Sequence, residues 1–112
     1  VLKKLIEWAN NNKQLFESKG IKTEKIFSNE YNVYVDHETK NCIGRIIFNA
    51  EGYVDIEIIE IESEVKIMYA HYAFQSDFFE DLIDSYIRIL IDSTNQLHSK
   101  YHDMPVKTDT KT

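Results

Sequence analysis

Along the first twenty residues Leu2, Leu5, Ile6, Ala9 and Phe16 recur at helical spacing, and Trp8 and Leu15 widen the stripe. Gly20 follows Glu17, Ser18 and Lys19, the arrangement of a helix C-cap with a base in the last turn. The pattern predicts a helix over residues 2–19. From there the hydrophobic period shortens to that of strands. "IKTEKIFS" is a weak strand. Tyr31, Val33 and Val35 then alternate with Asn32, Tyr34 and Asp36, and "HETKN" carries turn chemistry. "CIGRIIFN" is a β-branched strand with one glycine, "AEG" turns the chain back, and "YVDIEIIEIE" follows. "SE" turns it again, and "VKIMYAHYAF" is the next strand.

The stretch "QSDFFEDLIDSYIRILIDSTNQLHSKYH" returns to helical spacing. Phe78, Phe79, Leu82, Ile83, Tyr86, Ile87, Leu90 and Ile91 form one broad apolar stripe. Ser76 is a good N-cap, and Asp77, Glu80 and Asp81 lie in the first turn, where the helix dipole favours acids. Pro105 and a polar run end the chain. The order predicts one α+β domain over residues 1–104 with a polar tail at 105–112. Its core is an antiparallel meander of four or five strands flanked by an N-terminal and a C-terminal helix (α-β-β-β-β-α), with the helices on one face.

One strand breaks its own alternation. Six of the fourteen residues 51–64 are acidic and none is basic. Val54, Ile56 and Ile58 share one parity, but Ile59 and Ile61 take the other. A regular strand would place Glu60 and Glu62 on the face of Ile56. A bulge near Ile58–Ile59 keeps Val54, Ile56, Ile58 and Ile61 inward and all the acids outward. That is the favoured reading; the alternative is a regular strand with both faces partly covered. With the bulge, Asp55, Glu57, Glu60, Glu62 and Glu64 line one solvent face, and Glu51 stands at the turn. Such a face has a bland use, as a solvated, edge-guarding surface. It has a sharper one as a docking surface that imitates a phosphate backbone and pairs with Lys or Arg.

Composition narrows the function. The net charge is -6, which argues against direct nucleic-acid binding and against an anionic membrane surface. No run of the sequence reaches the length of a membrane span, and the N-terminus has no signal-type apolar region. Cys42 is the single cysteine, so no internal disulfide and no cysteine metal cluster can form. These features fit a cytoplasmic protein.

Catalytic chemistry finds no constellation. His98 and His102 are four apart but lack an HExxH context, so no metal site is assigned. His71, among aromatics, reads as a packed, hydrogen-bonded histidine, and His37 as an exposed residue before a turn. Three glycines in all leave no phosphate loop. No catalytic residue and no cofactor is assigned.

The run "IGRIIFNAEGYVDIEIIEIESEVKIMYAHYAF" followed by "SDFFEDLIDSYIRIL" resembles small immunity proteins of bacterial contact-dependent growth inhibition and related polymorphic toxin systems. The resemblance rests on Gly44 and Arg45, the turn residue Gly52, the acidic strand from Asp55 to Glu62, the strand ending at Tyr69 to Phe74, and the closing helix. It spans about residues 40–92. It implies a bacterial, non-enzymatic inhibitor that binds the C-terminal domain of a cognate toxin and blocks its active site or substrate surface. Such toxins are often nucleases with basic sites.

The expected partner is therefore a basic toxin surface, met by Glu51, Asp55, Glu57, Glu60, Glu62 and Glu64. The acids at the start of the second helix, Asp77, Glu80, Asp81 and Asp84, are secondary candidates. The chain itself is expected to be a monomer or weak dimer. Two other classes compete: a small ligand-binding or enzymatic domain with a pocket between sheet and helices, and a homodimeric structural subunit.

Overall fold

The computed structural model describes the backbone of residues 2–73 and 76–94, and the side chains of residues 3–73 and 80–94. The element order is α1 (Leu2–Asn11), α2 (Lys13–Ser18), β1 (Lys22–Ser28), β2 (Asn32–Glu38), β3 (Cys42–Asn49), β4 (Tyr53–Glu60), β5 (Lys66–Ala73) and α3 (Ser76–Thr94). The expected α+β architecture is present, with five strands. They are all antiparallel to their neighbours and lie in the order β1-β2-β3-β4-β5, without a crossover.

The first helix is broken where a continuous one was expected. Asn12 interrupts it, and the cause is local. The Asn12 side-chain Nδ2 donates to the carbonyl of Trp8 at 2.9 Å, beside its own backbone N–H at 3.1 Å. A side-chain amide that competes for a helix carbonyl weakens the helix there. After the break α2 ends as its glycine predicts. Gly20 has φ +88, its N–H donates to Glu17, and the N–H of Ile21 reaches back to Phe16. That is a Schellman closure, with Phe16 and Ile21 both buried beneath it.

Asparagines and a threonine fix three of the strand connections. Asn29 Oδ1 accepts from the N–H groups of Tyr31 and Asn32, and Asn49 Oδ1 from those of Glu51 and Tyr53. Thr39 Oγ1 accepts from the N–H of Cys42 at 2.9 Å and meets Ser93 Oγ of α3 at 2.9 Å. The β2–β3 turn is thereby tied to the end of the last described helix.

The helices cover one face of the sheet. Val33, Val35, Ile46, Phe48, Val54, Ile56 and Ile58 point from the strands to that side. There they meet Leu5, Ala9 and Phe16 from α1 and α2, and Leu82, Ile83, Tyr86 and Leu90 from α3. The α3 stripe is thus inward from Leu82 onward; the side chains of Phe78 and Phe79 lie outside the described residues, as do His98, His102 and the tail.

His37 belongs to this core, not to the surface as its neighbouring turn suggested. It is 0% exposed. Its Nδ1 shares a 2.8 Å hydrogen bond with the Tyr86 hydroxyl, and the rings of Trp8 and Phe16 close in at 5.9 Å each. The reason is parity: Val33, Val35 and His37 share the inner face of β2. Burial drives the His37 pKa down to about 4, only partly opposed by the nearby Asp36 carboxylate.

The acidic strand also departs from expectation. β4 pairs with β3 in unbroken register from Val54↔Phe48 to Glu60↔Cys42. The irregularity is on the other side, where Ile58 pairs with Met68 but Ile59 with Lys66, so the extra residue is Ile67 of β5. With β4 regular, Glu60 follows Ile58 inward. It is 5% exposed, and it accepts a hydrogen bond from Ser63 Oγ across the turn. Ile61, expected inward, is exposed in that turn.

Candidate functional site

Among the described residues no element covers the second face of the sheet. An antiparallel sheet with one face on the core commonly leaves the other to water. Here that outer face mixes charge with large apolar groups. Ile43 is 48% exposed, Tyr53 42% and Tyr69 58%.

Cross-strand pairing organises it into rows. One row runs Lys25, Asp36, Arg45, Glu57 and Tyr69, and the next runs Phe27, Tyr34, Ile47, Asp55 and His71. Arg45 is the centre. Its guanidinium forks onto both oxygens of Asp36, with Nη2 to Oδ2 at 2.7 Å, and lies 4.4 Å from the Tyr34 ring centroid. The Asp36 hydrogen bonds hold the guanidinium above its ordinary pKa. Phe27 stacks on Tyr34 at 4.9 Å. Beyond Arg45 a shallow depression of about 270 Å³ opens over Ile47, between Asp55, Glu57 and Tyr69.

The structure separates the six acids of residues 51–64 into three settings. Asp55 and Glu57 are on the outer face, and neither is bare. Asp55 meets His71 Nδ1, and His71 stacks on Tyr53 at 5.4 Å. Glu57 meets Lys66 Nζ at 3.0 Å, and Lys66 also lies 4.7 Å from the Tyr69 ring centroid. His71 is therefore hydrogen-bonded as expected but exposed rather than enclosed. Glu51, Glu62 and Glu64 are exposed in the turns at the two ends of β4. Glu60 is buried on the opposite face, so the acids do not form a single outward line. On α3, Glu80, Asp81 and Asp84 are exposed; the side chain of Asp77 lies outside the described residues.

A larger electrostatic feature emerges once strand order is known. Residues 1–50 hold eight Lys and Arg against six Asp and Glu, whereas residues 51–94 hold two against eleven. Because neighbours in sequence are neighbours in the sheet, that division becomes spatial. The β1 side is mildly basic. The β4–β5 side, with α3 against β4 and β3, is strongly acidic. Counting charge by halves of the chain would have exposed this asymmetry; the Arg45–Asp36–Tyr34 cluster needed the cross-strand register.

Cys42 offers no reactive thiol. It is buried, and burial pushes its pKa up, with the neighbouring Glu60 carboxylate adding to the effect. Among the described residues no group of three His, Cys, Asp or Glu side chains could hold a metal ion. No described helix is long and apolar enough to cross a membrane.

The family model described as Immunity protein TriTu matches residues 3–89, from the first turn of α1 well into α3. No curated protein and no solved structure matches the chain.

Proposed function

The chain belongs to the TriTu immunity protein family, and from that premise we propose that it neutralises a nuclease toxin domain by laying its acidic half over the toxin's basic substrate surface. The observation that carries this reading is the charge division of the fold, two Lys and Arg against eleven Asp and Glu over residues 51–94. A site that binds phosphates is basic. An acidic surface on a rigid sheet attracts such a site from a distance and competes with its substrate. The exposed Ile43, Tyr53 and Tyr69 add the apolar and aromatic area from which interface anchors are drawn. In this reading Asp55, Glu57, Glu51, Glu62 and Glu64 steer and pair with the toxin, Glu80, Asp81 and Asp84 extend the field, and Glu60 supports the fold. The inhibitor acts by occlusion, inside the cell that makes the toxin, without a cofactor.

The test is co-expression with a cognate nuclease toxin domain. The two should co-purify, and the complex should lack the nuclease activity of the free toxin domain. A toxin domain that remains active and elutes alone would overturn the assignment.

A further inference from the structure

The two edges of the sheet are built differently. β1 is guarded: Lys22, Glu24 and Lys25 stud it, and its register shifts between Thr23 and Lys25. Charges and bulges of this kind keep foreign strands from adding to an edge. β5 confines its base and its bulge to its start, at Lys66 and Ile67; from Met68 to Ala73 its register is regular and no residue is Lys, Arg, Asp or Glu. Among the described residues no strand lies beyond it.

The hydrogen-bond phase shows what that edge presents. The N–H of Glu60 donates to the carbonyl of Val65, whereas the N–H of Ile61 donates back to Asn41 on the β3 side. Even-numbered residues of β4 therefore direct their backbone groups to β5. Their partners there are Met68, Ala70 and Tyr72. By alternation the N–H and C=O groups of Tyr69, His71 and Ala73 point away from β4, to the open edge.

We propose that this edge is the docking seam: a basic strand of the toxin pairs with Tyr69, His71 and Ala73 and extends the sheet beyond β5. The inference rests on the toxin-neutralising reading above and says how the toxin is held. Strand addition takes affinity from main-chain hydrogen bonds and specificity from alternate side chains. Charge selects the occupant. The edge belongs to the acidic half, so a strand carrying Lys or Arg is attracted, whereas a second copy would bring two acidic halves together and be repelled.

Proline tests the seam, because at Tyr69 or His71 it removes an N–H that β4 does not use and puts a ring where the incoming strand would lie. Binding of the purified, catalytically inactivated toxin domain should weaken at least about a hundredfold for Tyr69→Pro and for His71→Pro. Tyr69→Ala and His71→Ala keep the N–H and should each lose at least about tenfold less than the proline variant at the same position. Hydrogen exchange on the unmodified complex gives a second measurement that needs no variant. The amides of Tyr69, His71 and Ala73 should slow when the toxin binds.

Proline variants that bind like their alanine counterparts, or edge amides that exchange as fast in the complex as alone, would overturn the seam. A free chain that dimerises with those amides already protected would overturn it too, in favour of a second copy. In each of these cases binding by the unmodified chain leaves the neutralising function standing. Absence of any binding by the unmodified chain is the distinct result that removes the function itself.

Discussion

The ring of Tyr86 lies so close over Gly44 that a methyl group there would come within 2.5 Å of its hydroxyl oxygen and 2.9 Å of two ring carbons. The same hydroxyl bonds His37, which is the cross-strand partner of Gly44. A glycine inside a strand is otherwise a poor choice, and close approach by another group is one of the reasons for it. Gly44, His37 and Tyr86 thus form one joint between the sheet and α3.

Gly44→Ala should destabilise the protein by about 1–3 kcal/mol, because a fully buried tyrosine has nowhere to retreat. Tyr86→Phe should cost about 1 kcal/mol for the lost hydrogen bond. Combining the two should restore only part of the loss, since the ring carbons still clash. Urea denaturation of the three variants checks this; full additivity would mean that the two residues do not share a contact.

The buried imidazole makes stability depend on pH with a definite sign. The His37 pKa in the folded protein is about 4, below its ordinary 6.5. The unfolded chain therefore takes up the proton first as pH falls. The stabilisation is present above pH 6.5, declines between 6.5 and 4, and totals about 3 kcal/mol over that window. Unfolding measured at pH 7.5 and 5.5 should show the decline in the natural chain and in His71→Gln, but not in His37→Leu. A His37→Leu protein with the same pH dependence would place the effect on another group.

Much of the fold is legible in periodicity, and the departures have local causes. Leu82, Ile83, Tyr86 and Leu90 are read correctly because helical spacing and burial agree over several turns. His37 needed one more step of an alternation already visible in Val33 and Val35, but the turn residues after it drew it to the surface. The phase slip at Ile58–Ile59 does mark a bulge, yet a single strand's pattern does not tell which of two paired strands carries the extra residue. Here it is β5, so Glu60 turns inward. The acids of the outer face are plain in the sequence. Their partners are not, because register sets them: Arg45 is nine residues from Asp36, and His71 sixteen from Asp55.

Glu60 and Glu57, three residues apart, should therefore behave as different kinds of residue. Glu60 is buried and accepts from Ser63, so Glu60→Ala should cost about 1.5–3 kcal/mol. Glu57 is part-exposed beside Lys66, and loss of such a surface pair costs about 0–1 kcal/mol. Denaturation of the two variants in parallel separates them. Equal costs would mean that the Ser63 contact contributes nothing and that Glu60 is held no better than a surface acid.

Toxin binding should reverse that ranking. Asp55→Asn with Glu57→Gln removes two charges from the outer face while preserving shape and side-chain hydrogen bonding. It leaves Arg45, Lys66 and His71 in place, so the surface becomes less attractive to a basic partner. Long-range attraction acts on encounter more than on the lifetime of a formed complex. Association with the toxin domain should slow by about threefold to tenfold at low salt. Dissociation should change less. Near 0.5 M salt the variant and the natural chain should associate at similar rates, because the screening length falls to about 4 Å. Stopped-flow mixing across a salt series measures both effects. Identical association rates at low salt would show that Asp55 and Glu57 only pair with Lys66 and His71 within the sheet, and that the attraction comes from the acids of the turns and of α3.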